Sequence, residues 1–272
     1  MKTFQKTLIT LSLCSGFNLL GLNPAFAIIG GSVVLPDDPI ASSAVAIVGW
    51  TTILGNIERP YYCTGTLIRP DIVLTAAHCL IGRNGQPASL SRINVSFGLK
   101  GSENRDGENI RHITEAKIHP DFHFTSIPGD SNLSDVGLLR LDKPAPTGFH
   151  AASMAKSNPV LSTGTPVFIS GYGVTDPKDR IMYSVGILNK TQSPFQSFNA
   201  NGTEMSLSVA GGGVSCLGDS GGPAFLLNGN EAVLIGITSH GTGLTCLDGE
   251  QIFTSVAAQR KFIDGTVDGW TK

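Results

Sequence analysis

Three short segments of the chain carry residue types that together could cleave an acyl bond, and the most distinctive of them surrounds Ser220. This segment reads CLGDSGGP over residues 216–223, and its glycines favour a tight turn that would present the serine hydroxyl as a nucleophile. Gly218 has no side chain to block a substrate oxygen, so the backbone N–H groups of Gly218 and Ser220 are candidate oxyanion donors. A glycine turn with a purely structural role would not require aspartate and serine at its centre.

The other two segments supply a base and a carboxylate. His78 lies in TAAHC, residues 75–79, where an apolar run leads into a turn beside a cysteine, and such a turn would hold a general base in place. Asp135 begins DVGLL, residues 135–139, and an aspartate ahead of an apolar run is as often a turn residue as a buried carboxylate. Together the segments predict Ser220 as the nucleophile, His78 as the general base and Asp135 as the group that orients His78.

Composition restricts the class of protein. The chain has 272 residues, of which 41% are hydrophobic and 15% charged, and its formal net charge is -2. These values suit a globular chain and argue against nucleic acid as a partner. No run of about 18 apolar residues follows the N-terminal segment, so we expect no membrane-spanning segment in the mature chain.

Short apolar runs alternate with turn-forming clusters, a pattern typical of an all-β barrel or sandwich. A single helix is predicted over Ser255–Thr266, where Val256, Phe262 and Ile263 could share a face. The runs that predict strands are Ala44–Val48, Ile72–Leu74, Ile93–Phe97, Val136–Leu141, Val167–Ile169 and Ala232–Ile237.

Residues 1–27 have the features of a secretory signal peptide. They contain two early lysines, a mostly apolar stretch, and Ala25-Phe26-Ala27 as a signal peptidase site. The alternative is an uncleaved membrane anchor, which is disfavoured because Ser15 and Asn18 interrupt the apolar stretch. We therefore expect a mature chain of residues 28–272 that is secreted, either periplasmic or extracellular.

Four cysteines remain after signal removal: Cys63, Cys79, Cys216 and Cys246. An even number of cysteines in an exported chain suggests two disulfides. Four cysteines allow three pairings, and spacing alone does not select one of them. We favour the nearest-neighbour pairs, Cys63 with Cys79 and Cys216 with Cys246.

The order histidine, aspartate, serine resembles that of the trypsin/chymotrypsin family of serine proteases. α/β-Hydrolases share the G-x-S-x-G string of residues 218–222, but they place the acid and the histidine after the serine. The likeness extends along the mature chain through five further segments: IIGG at 28–31, CTGTLI at 63–68, SGYGVT at 170–175, SHG at 239–241 and FTSV at 253–256.

The resemblance implies two packed antiparallel β-barrels, about residues 28–145 and 146–272, with the active site between them and a C-terminal helix. It implies the same two disulfides, and a serine endopeptidase that cuts protein or peptide substrates through an acyl-enzyme, without a metal or an organic cofactor. It also implies that Ser239 hydrogen-bonds near Asp135. Finally, it implies that an amine at Ile28 pairs with Asp219 on activation.

The residues at the matching substrate pocket differ from those of trypsins. Val214 stands where trypsins have an aspartate, so no buried charge would bind Lys or Arg there. Ser215, Ser239 and Gly241 would form the walls and the entrance. Gln251 replaces a common glycine and would shorten the pocket or supply an amide donor, unless its side chain points away. We expect neutral or apolar side chains before the scissile bond.

Several alternatives stay open at this point. Cleavage after Ala27 would itself create an N-terminus at Ile28, whereas an earlier cut near Gly21 would leave a short pro-peptide. A non-catalytic homologue that binds a partner is the alternative function, and an esterase using the same site is a third. We expect a monomer, with proteinaceous inhibitors as further partners.

Overall fold

The computed structural model describes residues 28–53, 57–82, 84–123, 134–179, 181–228 and 231–271. The predicted signal peptide, residues 1–27, lies outside the described residues. Within the described ranges the chain forms fourteen strands, two short 3-10 helices and one α-helix. No helix in these ranges is long and apolar enough to cross a bilayer.

The first barrel is closed by six antiparallel strands. A short strand β1 (Ser32–Val33) precedes it, and the barrel consists of β2 (Ala44–Ile53), β3 (Ile57–Arg69), β4 (Ile72–Thr75), β5 (Ile93–Ser96), β6 (Ile110–Ile118) and β7 (Gly137–Leu141). The strands run around it in the order β2-β3-β4-β7-β6-β5, and β5 pairs with β2 to close it. Two 3-10 helices, Ala77–Leu80 and Leu90–Arg92, lie between β4 and β5.

The second barrel has the same number of strands. A short strand β8 (Ser153–Met154) leads to β9 (Pro166–Gly171), β10 (Asn189–Phe198), β11 (Glu204–Ser208), β12 (Pro223–Asn228), β13 (Glu231–Gly241) and β14 (Glu250–Ser255). Their order is β9-β10-β11-β14-β13-β12, closed by pairing of β12 with β9. Outside the barrel, β1 pairs with the start of β10, and β8 pairs in parallel with β13. The predicted fold of two antiparallel β-barrels followed by a C-terminal helix is confirmed.

That helix, α1, spans Arg260–Trp270 rather than the predicted Ser255–Thr266. Ser255 is still the last residue of β14, and the N–H of Val256 donates to the carbonyl of Ile235, so strand pairing occupies the predicted first turn. The buried residues of α1 are Ile263, Val267 and Trp270, a helical spacing that places them on one face.

The larger apolar core contains residues from both barrels and from α1. Leu74 and Leu138 of the first barrel belong to it together with Tyr172, Leu234 and Trp270 from the second half of the chain. All of these side chains are buried. Burial of such side chains stabilises the fold by roughly 1.5–3 kcal/mol each, and here it also holds the two barrels together.

Candidate active site

Pairing of β4 with β7 brings His78 and Asp135 together although they are far apart in sequence. Thr75, the last residue of β4, lies opposite Gly137, the first residue of β7, so the residues just beyond these two strand ends become neighbours. The ring Nδ1–H of His78 donates to Asp135 Oδ2 at 2.7 Å, and the backbone N–H of His78 donates to Oδ1 at 3.0 Å. Asp135 is fully buried, whereas the His78 side chain keeps 19% of its surface exposed.

The second barrel adds two further hydrogen bonds to Asp135. Ser239 Oγ donates to Asp135 Oδ2 at 2.6 Å, as the resemblance implied, and Thr254 Oγ1 donates to the backbone carbonyl of Asp135 at 3.2 Å. The carboxylate therefore accepts three hydrogen bonds through its two oxygens, so its position is held from both barrels.

Burial and pairing oppose each other in the electrostatics of this pair. Burial alone lowers the pKa of His78, but the charge and hydrogen bond of Asp135 raise it by more, so the pKa of His78 lies above its ordinary value. Burial raises the pKa of Asp135, but the contacts with His78 and Ser239 lower it by more. Asp135 is thus held ionised, in the form that favours a charged imidazolium on His78.

Ser220 lies in the loop between β11 and β12, on the second barrel. The loop forms a tight turn in which the N–H of Asp219 donates to the carbonyl of Cys216 at 3.0 Å. Gly218 has φ +96°, and a Cβ at this position would lie 2.8 Å from Gly173 Cα, so the turn requires glycine here. Ser220 and Gly218 line the same cavity as His78. Among contacts of the described residues, no hydrogen bond joins Ser220 Oγ to His78.

Both favoured disulfides are present and flank these residues. Cys63–Cys79 ties β3 to the 3-10 helix that carries His78. Cys216–Cys246 ties the loop that carries Ser220 to the segment ahead of β14. Each crosslink stabilises the fold by roughly 2–4 kcal/mol, and each restrains the backbone next to a residue of the site.

A cavity of about 270 Å³ opens beside Ser220 between β13 and β14. Ser215, Ser239, Gly241 and Gln251 are among its lining residues, whereas Val214 is buried and is not among the described residues that line it.

Gln251 forms the polar floor of this cavity, and its side chain does not point away. Its Oε1 accepts from the N–H of Ser215 at 2.7 Å and from Ser215 Oγ at 3.0 Å. Its Nε2 donates to Ser193 Oγ at 3.3 Å and to the carbonyl of Ser208 at 3.2 Å. The amide of Gln251 therefore makes its hydrogen bonds within the protein while it lines the cavity, and the pocket role of Val214 stays a prediction.

A second cavity of about 620 Å³ extends from His78 and Ser220 in the other direction. Trp50 of β2, Tyr61 of β3 and Arg92 are among its lining residues. No carboxylate occurs among the described residues that line it. Sequence reasoning missed this groove because its aromatic residues, Trp50 and Tyr61, belong to no short sequence motif.

Asp219 is buried behind the nucleophile loop. Its two carboxylate oxygens accept from the N–H of Gly173 and from the N–H of Cys216, both at 2.8 Å. Burial raises the pKa of Asp219 to about 7, although these two N–H donors lower it in part. No ion pair to Asp219 occurs within the described parts of the chain.

Ile28 is also buried, and it has a positive φ of 62°. The following residue, Ile29, pairs with Val214 through two backbone hydrogen bonds of 3.0 and 2.9 Å. Val214 precedes Cys216 by two residues, so Ile28 enters the protein beside the segment whose N–H contacts Asp219.

Thr64 is a further residue of the site that sequence reasoning missed. Its N–H donates to the carbonyl of Ser220 at 2.8 Å, and its hydroxyl donates to the carbonyl of Gly218 at 2.9 Å. The only sequence signal was its place beside Cys63 in CTGTLI.

Comparisons with known proteins show which chains this protein is similar to. The vitellin-degrading protease of Bombyx mori is 28% identical over 268 residues, which cover 89% of this chain and 92% of that protein. The trypsin of Sarcophaga bullata is 26% identical over 223 residues, covering 78% and 82%. A solved structure of a mutant of human heparin binding protein (CAP37) has a similar fold, with a TM-score of 0.65 and 22% identity over 89% of this chain and 97% of that one.

The family model described as Trypsin matches residues 42–263, which include His78, Asp135 and Ser220 but not Ile28. The match covers most of both barrels, and relatives named as proteases align over most of their length. The chain belongs to the trypsin family.

Proposed function

We propose that this protein is a secreted serine endopeptidase with Ser220, His78 and Asp135 as its catalytic triad. The observation that carries the proposal is the buried hydrogen-bonded pair of His78 and Asp135, which borders the same cavity as Ser220 and Gly218. Acyl transfer needs a nucleophile, a base and an oriented carboxylate in one cleft, and these residue types supply all three.

The proposed reaction begins when Ser220 Oγ attacks the carbonyl carbon of the scissile peptide bond and His78 Nε2 takes the serine proton. The carbonyl electron pair moves onto the oxygen, where the N–H groups of Gly218 and Ser220 stabilise the oxyanion. Collapse of this intermediate breaks the C–N bond, and His78 returns the proton to the leaving amine. A water molecule, activated by His78, then hydrolyses the acyl-enzyme, and Asp135 holds His78 oriented throughout.

The substrate residue before the scissile bond is proposed to be neutral and small or apolar. The cavity beside Ser220 ends on Gln251, whose amide hydrogen bonds are already used by Ser215, Ser193 and Ser208. Gln251 is uncharged, so a charged side chain that reached it would lose hydration without gaining an opposite charge there. The contact with Gln251 therefore supports a neutral side chain, although the carboxylates of Asp179, Asp248 and Glu250 also line the cavity.

Activation is proposed to follow cleavage between Ala27 and Ile28. In the uncut chain, Ile28 holds a left-handed φ that costs a β-branched residue roughly 1–3 kcal/mol. Cutting the preceding bond removes this restraint and frees an amine near the buried Asp219, which has no cationic partner among the described residues. Pairing of the two charges would then stabilise the nucleophile loop.

Signal cleavage at this bond would make export and activation one step, leaving residues 28–272 as a monomeric enzyme outside the cytoplasm. We propose that its partners are protein or peptide substrates and proteinaceous inhibitors. The two barrels are proposed to divide near residue 145, in the proline-bearing connection that follows β7.

A binding homologue without activity is the second candidate. It is favoured by the absence, among the described contacts, of a hydrogen bond from Ser220 Oγ to His78, and by a structural neighbour that is named for heparin binding. The intact nucleophile loop and the Asp135 contacts favour the enzyme, because a protein that only binds has no use for them.

The deciding experiment exposes the secreted protein, with its N-terminus sequenced, to a diverse peptide library and maps each cut by mass spectrometry. Cuts that disappear in Ser220→Ala establish the enzyme. If the wild type starts at residue 28 and produces no cuts, the binding homologue is the better description. A start near residue 22 would instead contradict the proposed activation.

A further inference from the structure

Thr64 connects the first barrel to the nucleophile loop of the second. It lies on β3 directly after Cys63, and no part of it is exposed. Its hydroxyl donates to the carbonyl of Gly218 at 2.9 Å and accepts from the N–H of Tyr172 at 3.0 Å. Its backbone N–H donates to the carbonyl of Ser220 at 2.8 Å. The hydroxyl therefore has one donor and one acceptor partner, both from the second barrel.

These contacts fall on the two residues whose N–H groups would stabilise the oxyanion. Gly218 has no side chain that could restrain it, and its φ of +96° lies in a region that only glycine adopts readily. A residue this free needs an external contact to keep one conformation. The Thr64 hydroxyl provides that contact, because it holds the carbonyl of the peptide unit between Gly218 and Asp219. The N–H of Thr64 holds the carbonyl of the peptide unit between Ser220 and Gly221.

The surroundings keep Thr64 itself in place. The backbone carbonyl of Thr64 accepts a hydrogen bond from Thr75 Oγ1 at 2.8 Å. Two residues further along β3, Thr66 pairs with Leu74 of β4. Gly221 packs closely against Thr64 and Thr75, so a Cβ added to Gly221 would lie 2.1 Å from Thr75 Oγ1. The nucleophile loop therefore rests on a rigid strand rather than on another loop.

We propose that Thr64 is a positioning residue: its hydroxyl holds the peptide unit between Gly218 and Asp219, which lies between the two units that carry the N–H groups of Gly218 and Ser220, so that both groups point to the same oxyanion. This proposal rests on the serine peptidase function proposed above. It assigns Thr64 no contact with the substrate, and its effect is expected on the transition state rather than on substrate binding.

The test compares Thr64→Val with Thr64→Ser, which keeps the hydroxyl, and with Thr66→Val, the same change two residues along β3. For Thr64→Val we expect kcat to fall by roughly 10- to 100-fold, with KM changed by less than about threefold. Binding of a peptide aldehyde, which forms a tetrahedral adduct with the serine, should weaken in parallel. Thr64→Ser should recover most of kcat, and Thr66→Val should resemble the wild type.

Hydrogen exchange gives a readout that does not depend on activity. The N–H groups of Asp219 and Gly222 donate within the nucleophile loop, to Cys216 and Asp219. We expect their exchange to accelerate by roughly tenfold or more in Thr64→Val, but not in Thr66→Val. If Thr64→Val does not fold, Thr64→Ala serves instead. Its smaller side chain lets water reach the Gly218 carbonyl and the Tyr172 N–H, which lose their hydrogen bonds to the Thr64 hydroxyl.

Equal kcat values for Thr64→Val and the wild type would overturn the proposal, as would an equal loss in Thr64→Ser. If the wild type shows no Ser220-dependent cleavage, the peptidase function fails and hydrogen exchange alone decides. Unchanged exchange at Asp219 and Gly222 would then overturn the positioning role, whereas faster exchange would support it.

Discussion

Gln251 lies against Ser215 at the end of the cavity beside Ser220, and one amide oxygen accepts hydrogen bonds from both the N–H and the hydroxyl of Ser215. This contact uses the N–H and the hydroxyl of Ser215, which a substrate side chain could otherwise reach. The wall and the floor of the cavity therefore form one unit, and changing Gln251 alters both depth and polarity.

Gln251→Gly should deepen the cavity and shift the preferred residue before the cut from small neutral side chains to large apolar or aromatic ones. Filling the freed space should change relative kcat/KM by roughly 10- to 200-fold. The measurement is the cleavage profile on a peptide library, with Gln86→Gly on an exposed loop as the control. An identical profile for wild type and variant would show that this cavity does not select the substrate.

Asp135→Asn should lower kcat by about 10⁴-fold, because the amide no longer holds the tautomer of His78 that accepts the serine proton. The pH profile carries a second signature. Activity requires neutral His78, so kcat/KM falls as the pH drops through its pKa, which Asp135 raises above 6.5. Without the carboxylate only burial acts, and the acidic limb should move to lower pH. A limb that stays in place would contradict the assignment of His78 as the base.

The uncut chain should lose stability as the pH rises, because of Asp219. Its pKa of about 7 in the fold exceeds the reference value of 3.8, so the fold favours the protonated carboxyl. The contribution is complete below about pH 4 and is lost as the pH rises to about 7, at a total of roughly 4 kcal/mol. Denaturant unfolding of Ser220→Ala, with and without residues 1–27, would measure it.

Two controls belong to that experiment. Asp219→Asn in the uncut chain should remove this part of the pH dependence of stability, because the amide does not titrate. The chain that begins at Ile28 should show a smaller dependence, because its amine would stabilise the ionised carboxylate. Parallel curves for the cut and uncut chains would exclude pairing of Ile28 with Asp219.

Gly218→Ala should abolish most activity, with kcat lowered by roughly 10²–10³-fold because the backbone N–H of residue 218 is displaced from the oxyanion. The added methyl group would lie 2.8 Å from Gly173 Cα, so the loop must shift. Gly148→Ala is a matched control, because Gly148 has a similar φ of +93° and no atom within 4 Å of the added Cβ. It should lose about 1 kcal/mol of stability and no activity. Full activity in Gly218→Ala would show that the loop accommodates a side chain without moving its N–H, and would contradict the requirement for glycine at this position.

The groove lined by Trp50 and Tyr61 should favour large apolar residues after the scissile bond. We expect a phenylalanine there, compared with alanine, to raise kcat/KM by roughly tenfold, and Tyr61→Ala to reduce that ratio towards one. Tyr183→Ala, at a side chain that is 85% exposed and outside the groove, is the control. An unchanged ratio in Tyr61→Ala would show that the leaving segment does not lie in the groove.

How far the sequence predicts this structure depends on how each strand is buried. All four residues of β4, Ile72–Thr75, are buried, so the strand reads as an apolar run. By contrast, β6 and β10 mix buried with exposed residues and carry charges or prolines, and they were not predicted as strands. Their existence follows from barrel closure, which is a property of the whole chain.

The candidate site likewise has parts that a local sequence pattern predicts and parts that it does not. Ser220 and its glycines form a contiguous motif, so the nucleophile turn could be predicted from local constraints. The floor of the cavity could not, because Gln251 reaches Ser215 only through pairing of β11, β13 and β14. Thr64 likewise acts on residues more than 150 positions away along the chain, and no local pattern indicates such a contact.

The shared core has a consequence for how such a protein can change. Tyr172, from the second half of the chain, is packed in the same cluster as Leu74 and donates its hydroxyl to the carbonyl of Gly98 at 2.7 Å. A chimera that took one barrel from a relative would have to match this internal surface as well as the cleft. We therefore expect chimeras of barrels from different relatives to fold poorly. New specificities in this fold are expected to arise through changes in its surface loops.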